Sequence, residues 1–586
     1  MPEASLARPV GWSALWSALA ACCVWGFWST GRFHGGYELQ VVGLNFLPVG
    51  ELVFYMWYAA WGIPGMVFAL RALCASGLAQ VVASAIGRVP ERAHRWVLAA
   101  AGFVVVASLV FHFGATAGLP LSDDEDTYLF IAQTLLRGRL VNPLPEMPEF
   151  FRNVFVLINS GGWYGKYPIG HPAVLAVGEA VGLRVLVVPI LGGLNVWLSY
   201  LVGLRFFDRT TACFGALLLS LSPHFVFTHG TQMSQPTSMA CMLFAAWALL
   251  RAVESRSLWF AVASGVGWGA AVLVRPLPGG LFLGLVPVAF LAHTLRGSDR
   301  RVRQRRWLQL VLAGIPAVVF LAVLLGSLFL QSGDPLESGY HAEANKQGEG
   351  RLFLVGASSG LWASSLGGAL LRESFWFLGF PLGLLFVFWA RPARLGGLYW
   401  GLLIAIGAYR VLVPKTGMSV TGPIYVTEAL PLLSMGTVDV LRRLSRSLTP
   451  RLSPAPGAHP GTGAVALVLA GVIMAATIFV PVQLGPIRVS TELSGRVYGL
   501  LAERGVTRAL VFANRLTSQK DRRTWAFFPP NPSPDLDDDL LFVRVPDGTA
   551  SERRAACVAF WRRFMPDRRA FLFVPELREL HLVELE

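Results

Sequence analysis

The stretch from Arg95 to Tyr128 reads RWVLAAAGFVVVASLVFHFGATAGLPLSDDEDTY. From Trp96 to Ala117 no Asp, Glu, Lys or Arg interrupts it. That length suffices to cross a bilayer, which needs roughly 17–25 mostly apolar residues. Four consecutive carboxylates follow, Asp123 to Asp126. A membrane span that delivers an acidic cluster to one membrane face is the unit from which the rest is read.

Composition agrees with that unit. Of 586 residues, 54% are hydrophobic and 14% charged, and mean hydropathy is +0.55. A soluble domain carries roughly a quarter charged residues to solvate its surface. A cytosolic enzyme, a disordered chain and a small disulfide scaffold are excluded. Further spans are expected near 12–30, 50–74, 186–204, 211–228, 236–252, 258–274, 278–295, 308–330, 372–390, 396–413, 421–440 and 463–482. With 95–117 they make about 13 crossings. Leu19-Ala20-Ala21-Cys22 matches a lipoprotein cleavage box, but the apolar run continues to Trp28, so the first segment reads as a span. The apolar stretch 170–184 is short and holds Glu179, and reads as a half-span.

Arginines set the expected orientation. Arg88, Arg92 and Arg95, then Arg205 and Arg209, Arg251 and Arg256, the run from Arg296 to Arg306, Arg391 and Arg394, and Arg442 to Arg451 all fall on one side. Cytoplasmic loops collect Lys and Arg, so the N-terminus is expected in the cytoplasm. The formal charge of +14 is accounted for largely by these loops, and no nucleic-acid partner is needed. The opposite face receives loops 118–169 and 331–371 and the charged tail 486–586. Helix and strand patterns alternate in that tail, which reads as a small extracytoplasmic α/β domain. The expected architecture is an α-helical polytopic membrane protein in three parts: two spans in 1–94, a transmembrane module in 95–485, and the tail domain. A bacterial inner membrane with a periplasmic tail fits it.

The candidate chemistry lies on that outer face. Ser122 or Asp123 is a natural N-cap, and acidic residues suit the first helical turn. Capping accounts for two carboxylates and leaves two unexplained. On the helix that follows, Asp124, Tyr128, Ile131 and Leu135 share a face. Trp163-Tyr164-Gly165-Lys166-Tyr167-Pro168-Ile169-Gly170-His171-Pro172 combines an aromatic belt with Lys166 and His171, which suit an anionic headgroup. Ser222-Pro223-His224 and His229 to Pro236, with Gln232 between, form a polar hairpin, and Arg275-Pro276 ends a span on the same side. An Arg there either snorkels to headgroups or holds a phosphate bidentately. The second loop adds Tyr340 and Lys346, and Tyr425 opens another span. Gly265-Val266-Gly267-Trp268-Gly269 reads as a close helix contact rather than a nucleotide loop. Asp535 and Asp537 to Asp539 lack the spacing of a calcium loop and read as solvated surface. No metal-ligand set, Walker A sequence or cofactor motif is found.

Asp124-Glu125 with Tyr128, Ala132 and Gly138, then Lys166-Tyr167-Pro168 with Gly170-His171-Pro172, resembles the GT-C superfamily of membrane glycosyltransferases. The likeness is to its bacterial branch, related to protein O-mannosyltransferases and the aminoarabinose transferase of lipid A. Leu221-Ser222-Pro223, Arg275-Pro276, Gly422-Pro423, Tyr425 and Ala429-Leu430-Pro431 stand at positions typical of that branch, so the resemblance runs over roughly 95–440. It implies transfer of a sugar from a polyprenyl-phosphate donor to a glycan, lipid or protein hydroxyl on the extracytoplasmic face. It also implies a base at Asp124 with Glu125 beside it. The family pattern has two acidic residues where this chain has four, so Asp123 or Asp126 stay open as the base. Positive charge for the leaving phosphate would come from Lys166, Arg275 or Lys346. Tyr128, Tyr167, His171, His229, Gln232, Tyr340 and Tyr425 are the remaining candidates for substrate contact. A transporter or flippase of lipid-linked sugars is the alternative, but such proteins concentrate ionisable groups near the midplane and show repeated halves.

Overall fold

The computed structural model describes residues 10–30, 49–153, 155–282, 284, 299–346, 362–381, 383–413, 418–419, 421–452, 459–514, 516–517, 526–527, 529–575 and 580–585. Helices dominate. The first eleven are α1 (Val10–Thr30), α2 (Val49–Ala75), α3 (Leu78–Ile86), α4 (Ala93–Thr116), α5 (Asp123–Leu136), α6 (Gly170–Ala180), α7 (Arg184–Phe206), α8 (Arg209–Ser220), α9 (Pro223–His229), α10 (Gln235–Ser255) and α11 (Leu258–Val274). Further helices are Arg300–Ser332, Gly339–Lys346, Trp362–Trp376, Gly396–Leu412 and Leu430–Leu452. Six helices are long and apolar enough to cross a membrane, or seven with α8 and α9 taken as one bent span. The chain is a multi-pass integral membrane protein.

Several expected spans are broken where local chemistry forbids a continuous helix. Ser222 caps α9 by accepting from Phe225 N at 3.2 Å, and Pro223 follows. The pair α8–α9 therefore bends by 62° instead of running straight through 211–228. The helix Trp362–Trp376 ends before Gly379, which sits at φ +70°, so 372–390 is not one helix. Residues 421–440 begin as a hairpin and a short 3-10 turn at Thr427–Ala429 before Leu430–Leu452 starts. Most of 278–295 lies outside the described residues. At 170–184, α6 has 11 residues, well short of a crossing.

Three small hairpins connect helices at one end of the bundle or join the tail. Strands β1 (Val156–Asn159) and β2 (Gly162–Gly165) pair antiparallel, as do β3 (Met418–Ser419) and β4 (Gly422–Pro423). In the tail, β5 (Ala509–Phe512), β8 (Leu540–Val543), β9 (Arg569–Pro575) and β10 (Leu580–Glu584) form one sheet in the order β10-β9-β5-β8. The strands β6 (Leu516–Thr517) and β7 (Ala526–Phe527) make a separate pair. A helix, Ala550–Phe564, starts with a Thr549–Glu552 capping box.

The arginine clusters meet at one end. Arg205 pairs with Glu254, Arg442 with Asp208 and Arg209 with the Glu91 carbonyl, while Arg305 reaches the Arg256 carbonyl. Because α10 ends there and begins at Gln235, its other end marks the opposite face. Close packing is bought with glycine in α11: a Cβ on Gly265 would lie 2.0 Å from the Ala313 carbonyl oxygen. The expected helix contact is therefore present.

No linker separates the tail from the bundle. Thr462–Met474 continues through a π-turn at Ala475–Phe479 into Val480–Glu503, so the backbone is helical through residue 486. The tail's core is also shared. Leu510, Phe512, Val543 and Phe560 belong to one buried cluster with Tyr128, Phe130, Trp163 and Tyr167. The Phe560 ring packs against that of Phe150, centroids 4.4 Å apart and tilted by 31°. Phe560→Ala should therefore cost about 3–5 kcal/mol, the usual price of a large buried ring. Thermal unfolding in detergent should register that loss, together with faster proteolysis of the first loop near Phe150. Unchanged cleavage there would show that tail and loop are not one packed unit.

Candidate active site

Three of the four carboxylates of α5 are seen to point to different partners. Ser122 caps the helix by accepting from Glu125 N. Asp123 supplies the carbonyl that the Thr127 hydroxyl reaches at 2.7 Å. Glu125 is buried and accepts from Leu121 N at 3.1 Å and from Gln232 N at 2.8 Å, tying α5 to the turn before α10. Asp126, also buried, accepts from Asn531 N at 2.5 Å and so ties α5 to the tail. Asp124 accepts from the Tyr167 hydroxyl. Asp124 thus has its hydrogen bond on the aromatic side of the helix.

That side is a cluster of phenols and cations. The Tyr128 and Tyr167 rings lie 4.6 Å apart, and Tyr340 meets Tyr167 at 5.7 Å. The Lys166 ammonium sits 3.1 Å above the Phe155 ring and 4.9 Å and 5.4 Å from those of Tyr167 and Tyr340. Such contacts hold a desolvated cation without cancelling its charge. Burial first, and the Asp124 charge second, raise the Tyr128 and Tyr167 phenols above their ordinary range. Both stay neutral and able to donate.

Arg275 follows α11 and comes close because residue 170 has no side chain. A Cβ on Gly170 would lie 2.6 Å from the Leu273 carbonyl, so α6 begins directly against the end of α11. Gly339 likewise seats the second loop on Lys166, where a Cβ would meet the Lys166 carbonyl oxygen at 2.3 Å. The Arg275 guanidinium donates to Glu428 at 2.5 Å and to the Tyr409 hydroxyl at 2.9 Å, and lies 5.8 Å from the Tyr425 ring. Tyr128 lies in the field of both Asp124 and Arg275.

Three candidates belong to the framework instead. His171 Nε2 faces the Gln232 carbonyl at 2.8 Å and must donate to it, so Nδ1 accepts from the Thr237 hydroxyl at 2.9 Å. Burial pushes His171 down to about 4, which leaves a neutral ring with both nitrogens engaged, unsuited to holding an anion. His229 is engaged in the same way, by the Phe225 carbonyl at 2.7 Å and Asn195 at 3.0 Å. Gln232 contributes its backbone to Glu125 and His171, while its Oε1 is buried without a partner among the described residues. The side chain of Lys346 lies outside the described residues. Asp535 and Asp537 are exposed, as expected of solvated surface, and also pair with Arg137 and Arg139, which links the tail to the end of α5.

Sequence reasoning passed over Glu428 and Tyr409. Glu428 stands between Tyr425 and Ala429, inside a segment already singled out, but a lone Glu at the start of an apolar run gives no sign of its partner. Tyr409 lies in an apolar helix and carries no local signal. Among the described residues no three His, Cys, Asp or Glu side chains converge as a metal-ligand set.

Residues 173–325 match the family model described as dolichyl-phosphate-mannose-protein mannosyltransferase. That segment runs from α6 through Arg275 into the helix Arg300–Ser332, and the resemblance to the GT-C superfamily holds there. Among solved structures, the chain is similar to ArnT from Cupriavidus metallidurans bound to undecaprenyl phosphate, at 18% identity over 80% of this chain and 92% of that one, with a TM-score of 0.47. The Archaeoglobus fulgidus oligosaccharyltransferase gives 15% identity over 67% and 56%, with a TM-score of 0.44. The arabinofuranosyltransferase AftD from Mycobacteria gives 15% over 82% and 35%, with 0.41. No curated protein sequence matches the chain.

The Glu125 clamp has a pH signature. Burial pushes its carboxyl up from an ordinary 4.5 to about 7, against the pull of its two backbone donors. Between those values the unfolded chain has released this proton and the folded chain still holds it. Stability from this group is therefore highest at low pH, falls as pH rises from about 4.5 to about 7, and levels off above. Glu125→Gln cannot ionise, so its midpoint temperature relative to wild type should rise across that window. A constant difference between the two would contradict the assignment.

Proposed function

We propose that the chain is a glycosyltransferase that moves a sugar from a polyprenyl-phosphate-linked donor to a hydroxyl acceptor, with Asp124 as the general base. The observation that carries the reading is the position of Asp124 beside Tyr167, next to the Lys166 cation and the Tyr128 ring. The family description over 173–325 supports a donor of the class of a sugar on a lipid phosphate. The acceptor is a glycan, lipid or protein hydroxyl.

The chemistry follows from what each group can do. A hydroxyl is a weak nucleophile, and a carboxylate in hydrogen-bond reach takes its proton as the oxygen attacks the anomeric carbon. The bond from that carbon to the phosphate oxygen breaks, and its electron pair leaves with the lipid phosphate. The leaving group is already an anion and requires no proton. It requires positive charge, and Lys166 and Arg275 are the cations at hand. Lys166 is held against the ring faces of Phe155, Tyr167 and Tyr340, on the side of the helix to which Asp124 turns. Arg275 is shared with Glu428, so its part is weaker in charge and stronger in direction. A single displacement inverts the configuration.

The site lies at the end of the bundle away from the arginine clusters. With those clusters cytoplasmic by the positive-inside rule, sugar transfer occurs on the extracytoplasmic face. In a bacterium that face is the periplasmic side of the inner membrane, with the lipid tail of the donor in the bilayer.

The test is transfer by the full chain in proteoliposomes, given a panel of polyprenyl-phosphate sugars and extracted membrane acceptors. Asp124→Asn should lower kcat by about 10²–10⁴, the range of a lost general base. Undiminished transfer would move the base to Asp123, Glu125 or Asp126. No transfer by wild type from any donor, with lipid-linked sugar crossing the bilayer instead, would replace the enzyme with a flippase.

A further inference from the structure

A second buried charged group lies behind Arg275 and takes no part in the chemistry above. His224, at the start of α9, is fully buried, and so is Glu373 in the helix Trp362–Trp376. His224 Nδ1 lies 3.1 Å from Glu373 Oε1, and Nε2 lies 3.1 Å from the Thr427 hydroxyl oxygen. That hydroxyl also lies 3.2 Å from the Ile424 carbonyl oxygen. Thr427 is thus held between the imidazole and its own turn, and His224 bridges it to Glu373.

Burying such a unit is a burden on stability unless it serves something, since apolar residues of the same volume pack as well or better. Glu373 Oε2 adds to the burden, with no partner among the described residues. The location suggests the use. Thr427 opens the 3-10 turn Thr427–Ala429, and the next residue, Glu428, accepts from Arg275. The same histidine seats the preceding hairpin, because Gly422, at φ +117°, lies flat on it: a Cβ there would meet His224 Cδ2 at 3.1 Å and Trp376 at 2.9 Å. Three separate segments, α9, Trp362–Trp376 and the β3–β4 hairpin, thus converge on the turn that aims Arg275.

We propose that Glu373, His224 and Thr427 form a positioning chain that fixes Glu428 and thereby directs the Arg275 guanidinium toward the lipid phosphate of the donor. The inference rests on the donor reading above. His224 acts through Thr427 and Glu428 and does not touch substrate. Its effect is therefore expected on phosphate affinity, and only while Arg275 is present.

The test is a double-mutant cycle on the full chain in detergent, with undecaprenyl phosphate as the probe and binding read by titration. Arg275→Ala and His224→Phe should each weaken binding tenfold or more. The double variant should bind no more than twofold worse than Arg275→Ala alone, because residues acting through one another do not add. Losses that multiply would overturn the proposal. Should His224→Phe fail to fold, Thr427→Val takes its place, and Thr427→Ser, which keeps the hydroxyl, should recover the binding that Thr427→Val loses. Failure of that recovery would also overturn it. If wild type binds no lipid phosphate, the donor reading fails, and the chain is tested by thermal unfolding of Thr427→Val, Arg275→Ala and their combination. Non-additive shifts would uphold the Thr427–Arg275 link; additive ones would remove it.

Discussion

Four carboxylates within one helical turn repel one another, and everything at the site follows from how that repulsion is resolved. Two unit charges about 6 Å apart cost about 3 kcal/mol at an effective dielectric near 20. The helix dipole relieves part of this at the first turn. The rest is relieved by geometry, since successive helical residues point roughly 100° apart. Glu125 and Asp126 are turned inward onto backbone N–H groups of distant segments, where burial moves them toward the protonated form. Asp124 turns toward the tyrosines. The acidic run is thus a clamp on two sides and presents a third carboxylate to the tyrosines.

Because the clamps reach residues 232 and 531, α5 is held by the membrane bundle and by the tail together. The tail reinforces this through Arg137 and Arg139 with Asp535, and through the Phe150–Phe560 ring contact. The exposed ion pairs contribute little on their own. The shared apolar core supplies most of the hold, at about 25 cal/mol per Å² of buried apolar surface. A tail that reads in sequence as an appended domain is, in the structure, packed against α5 and the first loop.

What was legible in the sequence was local or periodic. The Ser122 cap and the shared face of Asp124, Tyr128 and Ile131 depend on residues a few positions apart, and the structure has both. The glycines of α11 announced a close helix contact and found it at Ala313. The tail strands Ala509–Phe512 and Leu540–Val543 followed from short apolar runs between turn signals. The misreadings came from elsewhere. Hydropathy fused segments that Pro223, Gly379 and Gly422 break, because an apolar window does not register a backbone bend. His171 and His229 looked like ligands for an anion, yet their partners at 232, 237, 195 and 225 were invisible until the chain folded. Glu428 and Tyr409 were missed for the same reason: their meaning lies in Arg275, far away along the chain.

The central claim is a single displacement at the anomeric carbon, with one carboxylate as base and the lipid phosphate as leaving group. The stereochemistry of the product tests it most directly. A donor of defined anomeric configuration would be turned over by wild-type chain in proteoliposomes, and the new linkage assigned from its anomeric coupling constant in the NMR spectrum. Inversion is the result the account predicts. Retention would contradict it, because it requires a covalent sugar intermediate and a second reacting group that Asp124 alone does not provide.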